Sequence, residues 1–118
     1  MPERPGHILV TGGAEMLARA LPVEPGAVRS RRILSTPDVI VVALTLGEGA
    51  IMKEHLSTSP LLLQVIEGHA VLEIRRERVD MPTGALVQVD AQVRHSVEGL
   101  EPSRLLLILL SPHARALA

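Results

Sequence analysis

The sequence predicts an all-β fold, an antiparallel sandwich or barrel, and three features predict it. Turn signals recur at short intervals, at Pro37-Asp38, Gly47-Glu48-Gly49, Ser59-Pro60, Gly68-His69, Pro82-Thr83-Gly84 and Gly99 to Pro102. Between them stand short runs of β-branched and aliphatic residues: "VIVVALTL", "LLLQVIE", "AVLEIRR", "ALVQVD", "HSVE" and "RLLLILL". No helical pattern separates these runs, which argues against a parallel sheet built on crossover helices.

Taken in order, residues 1–7, "MPERPGH", lack the apolar core of a secretion signal. The stretch "HILVTGGAEMLA" has the outline of the strand, glycine turn and helix that open a dinucleotide site. Its Gly12 and Gly13 are adjacent, however, and Ala14 and Leu17 stand where later glycines belong. The one helix the sequence supports lies here, "GAEMLARAL" over 13–21, stopped by Pro22 and expected across the mouth or side of a barrel. Arg29, Arg31 and Arg32 read as the solvated face of a strand. In 51–74 two strands flank a polar turn with Pro60, and His55 ends the first. In 70–75 Ala70, Leu72 and Ile74 take one face, Glu73 and Arg75 the other. The final run "LLLILL", 105–110, is apolar throughout and has the length of a buried strand, far short of the ~20 residues of a membrane helix. It is expected to be covered on both faces, by the core and by a second sheet or subunit.

Composition narrows the function classes. At 118 residues the chain suits one domain, 1–118, with one core. Phe, Tyr and Trp are absent although 47% of residues are hydrophobic, so Leu, Val, Ile, Ala and Met must fill the core and nothing can stack on a base or flat ring. Met16, Met52 and Met81 read as core filler. With 12 Lys and Arg against 13 Asp and Glu, neither nucleic acid nor an anionic membrane is a favoured partner. Zero cysteines exclude disulfides, thiolate metal sites and a cysteine nucleophile, and suit a cytoplasmic setting. No serine sits in a nucleophile elbow and no glycine loop could cradle phosphate.

Residues 47–97 carry a more specific pattern. "GHAVLEI" supplies Gly68, and "GALVQVDAQVRHSV" supplies Gly84 and His95. In these positions the chain resembles the cupins, the small proteins of the second conserved-barrel type, whose first motif is His-x-His, a glutamate and a turn glycine, and whose second is Gly, Pro-x-Gly and His. The resemblance implies an antiparallel double-stranded β-helix, a jelly-roll barrel of six to eight strands with a short N-terminal helix. It also implies a metal centre of three imidazoles and one carboxylate inside the barrel.

The match is partial at that centre. Counting back from Gly68 puts the family glutamate at Leu61, the second histidine at Ser57 and the first at His55. In the second motif Asp90 replaces the proline and Gln92 the glycine, while His95 falls in register. Two of four ligands, His55 and His95, remain. Ser57, Leu61, Gln64 and Gln92 are the expected pocket residues, the glutamines as possible carbonyl donors. Glu54, beside His55, should face the other way on a regular strand, though a bulge could reverse that. His7, His69 and His113 read as exposed, and Glu67 as pointing to solvent.

Three readings of the pair stay open. It is a partial metal site for Fe, Mn, Zn, Ni or Cu, weakly held and completed by water or a bound small molecule. Or it is a metal-free pocket that binds an acidic ligand or moves a proton. Or the imidazoles are simply satisfied by backbone and water. The favoured function is a small-molecule binding or sensing protein. The alternatives are a metal-dependent dioxygenase or isomerase with substitute ligands, and a structural barrel without chemistry. Apolar strands such as "LLLILL" and "VIVVAL" favour a homodimer.

Overall fold

The computed structural model describes residues 5–110. After helix α1, Ala14–Ala20, come nine strands: β1 (Val28–Ser35), β2 (Val39–Leu46), β3 (Ile51–His55), β4 (Leu61–Glu67), β5 (His69–Ile74), β6 (Glu77–Pro82), β7 (Leu86–Val89), β8 (His95–Gly99) and β9 (Ser103–Leu110). They form two antiparallel sheets, a five-stranded one in the order β1-β2-β9-β4-β7 and a four-stranded one in the order β3-β8-β5-β6. The all-β jelly roll and the N-terminal helix are as the sequence predicts. Among the described residues there are nine strands rather than six to eight, and hydrogen bonds do not close the barrel, which stays two facing sheets.

The strand beyond expectation is β6. The run "AVLEIRR" read as one strand, but it ends at Ile74, and Arg75 and Arg76 form a two-residue loop pairing Ile74 with Glu77. Both loop residues are left-handed, φ 48° and 68°. That is the backbone of a type I′ hairpin, usually made by Asn-Gly, so residue type concealed this turn.

Strict alternation builds the core. Leu44 and Leu46 of β2, Leu61, Leu63 and Val65 of β4, Val89 of β7 and Leu105 of β9 meet Ala70, Leu72, Met81 and Val97 of the other sheet. No aromatic side chain is present, and branched aliphatics interlock at close packing instead. Gly68 makes the β4–β5 reversal at φ 90°, where an added Cβ would sit 2.3 Å from the Pro102 carbonyl oxygen. Met52 packs against the core and Met81 is within it, whereas Met16 is 48% exposed and is not core filler. Its sulfur accepts from the Gly12 amide.

The outer face of the five-stranded sheet is covered in part by α1, whose Leu17 and Leu21 pack on Ala43, Ile33 and Leu106. This helix supplies part of the cover that the apolar final strand requires. Arg104 of β9, 3% exposed, donates from one terminal nitrogen to the Leu17 and Leu21 carbonyls, at 3.3 and 2.6 Å. Arg31 reaches Ala20 O at 3.3 Å and Arg29 reaches Pro22 O at 3.4 Å. Two arginines of the cluster that read as solvated thus hold the end of the helix, where unpaired carbonyls gather. Glu67 is half exposed, as expected, and lies 3.6 Å from the Arg104 Nε. No helix among the described residues is long and apolar enough to cross a membrane.

Candidate functional site

One end of the sandwich collects the chemistry. The β3–β4 and β7–β8 connections both lie there, tied together by the Gln92 amide donating to Ser57 O at 2.8 Å. β3 ends there with His55, β8 begins with His95, and the register places the two directly opposite. Their ring centroids are 4.4 Å apart and tilted by 56°. Ile74 pairs with His95 on the other side, and Met52, Ile74 and Val93 pack against the core around them.

The pair depends on a β-bulge. From Met52 to His55 is three residues on β3, while their partners Val97 and His95 are two apart on β8. Met52 packs on the core, so a regular strand would turn Glu54 inward and His55 outward. The extra residue exchanges them. Glu54 instead points away and lies 3.8 Å from Arg94, which flanks His95 on the outer side of β8.

Each ring is oriented by its own strand. His55 Nδ1 lies 3.0 Å from Lys53 O, and His95 Nδ1 lies 3.1 Å from Val93 O. A carbonyl only accepts, so Nδ1 carries the proton of the neutral ring and Nε2 keeps its lone pair. Neither Nε2 has a protein partner among the described residues. His95 is 2% exposed. Burial holds its pKa below the usual histidine value; the Val93 carbonyl opposes that shift, and the neighbouring His55 adds to it.

The other sequence-predicted residues scatter. Leu61 is inward and buried, part of the aliphatic core at the start of β4. Ser57 lies in the β3–β4 connection, its hydroxyl accepting from the Ser59 amide at 3.1 Å. Gln64 alternates with the core residues Leu63 and Val65, and therefore takes the outer face, opposite Leu86 of β7. It does not line the barrel interior. Gln92 is exposed, and it lines an outer cleft with Glu54 and Arg94. Its backbone is informative: φ is 66°, the left-handed conformation that suits glycine, the residue the resemblance sets at this position.

A resident metal does not fit this donor set. Among the described residues no three His, Cys, Asp or Glu side chains converge to hold an ion. Leu61, which the resemblance sets where a carboxylate is expected, is a buried aliphatic core residue, Glu54 faces outward, and two imidazoles fall short of the three protein ligands a stable site takes.

The remaining histidines do other work. His69 Nε2 lies 2.5 Å from Asp80 across the β5–β6 pair, a partner that strand register supplies and sequence spacing hid. The nearby Ser103 hydroxyl bonds the His69 backbone rather than its ring, so no nucleophilic triad forms. His7 Nδ1 lies 3.2 Å from Pro5 O, and His113 is outside the described residues.

Comparison with known proteins bears on the fold. No family model matches the sequence, and no curated protein matches it. Solved structures do match. A cupin superfamily protein from Desulfitobacterium hafniense superposes with a TM-score of 0.75 at 20% identity, over 80% of this chain and 87% of that one. KdgF from Halomonas sp. gives 0.68 at 21% identity, over 81% and 90%. An RmlC-like cupin family protein with a double-stranded β-helix from Methanocaldococcus jannaschii gives 0.67 at 18%, over 80% and 90%. This chain shares their fold, a double-stranded β-helix.

Proposed function

We propose that this chain is a small-molecule-binding cupin whose polar centre is the pair His55 and His95. The observation that supports this is the pair itself: two imidazoles opposed at 4.4 Å, each with Nδ1 engaged by a backbone carbonyl and Nε2 left free. Two lone pairs beside an apolar wall of Met52, Ile74 and Val93 suit a small aliphatic molecule bearing an acidic or hydroxyl group. An acid can pass its proton to Nε2 and remain as the carboxylate beside an imidazolium. The lack of aromatic residues favours aliphatic over flat aromatic ligands. A divalent ion would be held by two protein donors, weakly, with the ligand's own oxygens completing its shell. An enzyme of the dioxygenase or isomerase kind would need a further carboxylate or imidazole, and no described residue places one there.

The test is metal content of untagged protein purified without chelator, beside imidazole NMR during titration with succinate. The proposal expects far less than one metal per chain, and shifts in the His55 and His95 resonances that saturate. Stoichiometric metal that is lost in His55→Ala/His95→Ala would sink it in favour of the enzyme reading.

We infer, too, a homodimer formed on the outer face of the five-stranded sheet. Leu62 and Ile108 stand opposite each other there beyond the reach of α1, and Leu86 at its edge is 57% exposed. Light scattering that gives the monomer mass at micromolar concentration would refute this.

A further inference from the structure

Among the described residues, three that are not glycine hold left-handed backbone: Arg75, Arg76 and Gln92. All three line one cleft of about 430 Å³, with Glu54, Val93 and Arg94. Left-handed backbone strains an L-residue, and such strain persists where the surroundings or a function impose it. Asn-Gly would make the same two-residue turn at less cost. The chain instead presents two adjacent guanidinium groups.

Those groups are uncommitted. Neither Arg75 nor Arg76 makes an ion pair or side-chain hydrogen bond among the described residues. Arg94 is engaged only by Glu54, at 3.8 Å. Three arginines against one glutamate leave the cleft positive. Glu73 and Glu77 stand beside it; Glu73 is paired with Arg78, which also meets Glu98, and counting Glu77, which has no ion pair among the described residues, still leaves three arginines against two glutamates. Guanidinium forks match oxyanions in two-point contacts.

The cleft is distinct from the barrel mouth. Glu54 and Arg94 alternate to the outer side of the strands whose inner side carries His55 and His95, and Val93 forms the shared wall. We propose that this cleft is a second ligand site, which takes the phosphate or carboxylate group of a small anionic molecule.

Isothermal titration at low ionic strength tests it, with inorganic phosphate and with succinate as probes. The proteins are the full chain, Arg75→Asn/Arg76→Gly and His55→Ala/His95→Ala. The proposal expects saturable millimolar binding of at least one anion, weakened about tenfold or more in the turn variant. That variant should also melt at a higher temperature, a combination that misfolding cannot produce. Binding at this site should survive in the histidine variant, where succinate can no longer occupy the His55–His95 pair, and the anion with the higher affinity for that variant identifies the group recognised. No saturable binding of either probe, equal affinity in the turn variant, or loss in the histidine variant instead would overturn the proposal.

Discussion

His55 and His95 face each other across β3 and β8 because β3 carries one residue more than its partner strand between Met52 and His55. Their stacking buries His95 with a second imidazole beside it, and both effects favour its neutral form. The unfolded chain therefore binds a proton at this residue more readily than the native one. Stability is fully present above the unfolded value of 6.5 and declines as the pH falls from there through the lower native value. Melting curves of the parent and His95→Gln should diverge in pH dependence, the variant losing this part of the slope. Parallel curves would place the acid sensitivity elsewhere.

Leu61 is 1% exposed and packs in the core. Leu61→Glu should destabilise the protein at neutral pH by about 3 kcal/mol or more, since a carboxylate there is desolvated. With Ser57→His added, zinc should recover much of the lost melting temperature and bind about tenfold or more tighter than to the parent. Unchanged zinc affinity would show that positions 57 and 61 do not converge on the histidine pair.

Arg104 is buried with one terminal nitrogen on the helix-end carbonyls of Leu17 and Leu21. Arg104→Met keeps much of the packing but removes those bonds, for an expected loss of about 2 kcal/mol in urea denaturation. The buried Nε lacks a hydrogen bond of its own, which limits the loss. Amide exchange should quicken in α1 first.

Two backbone positions should respond in opposite senses. Gly68→Ala would drive a methyl into the Pro102 carbonyl and, at φ 90°, strain the turn as well, so a loss of about 3 kcal/mol or more is expected. Gln92→Gly relieves φ 66° and should be neutral or stabilising by up to about 1 kcal/mol, after the entropy glycine adds to the unfolded chain. Thermal melts of the pair decide both.

By itself, the sequence determined the all-β architecture, because Gly and Pro turns and two-residue alternation act locally and each run declares its buried face. Ala70, Leu72 and Ile74 face inward as that alternation requires. It also singled out His55 and His95, since spacing from turn glycines is a local measure. The tertiary structure decided the rest. Strand register and a one-residue bulge, which carry no residue signature in "IMKEH", brought the two imidazoles together and sent Glu54 outward. Sheet parity removed Gln64 from the interior. The hairpin at Arg75-Arg76 and the left-handed Gln92 were invisible because residue type argues against both. Pairing across sheets is a long-range matter, settled by which buried faces fit together rather than by any segment alone.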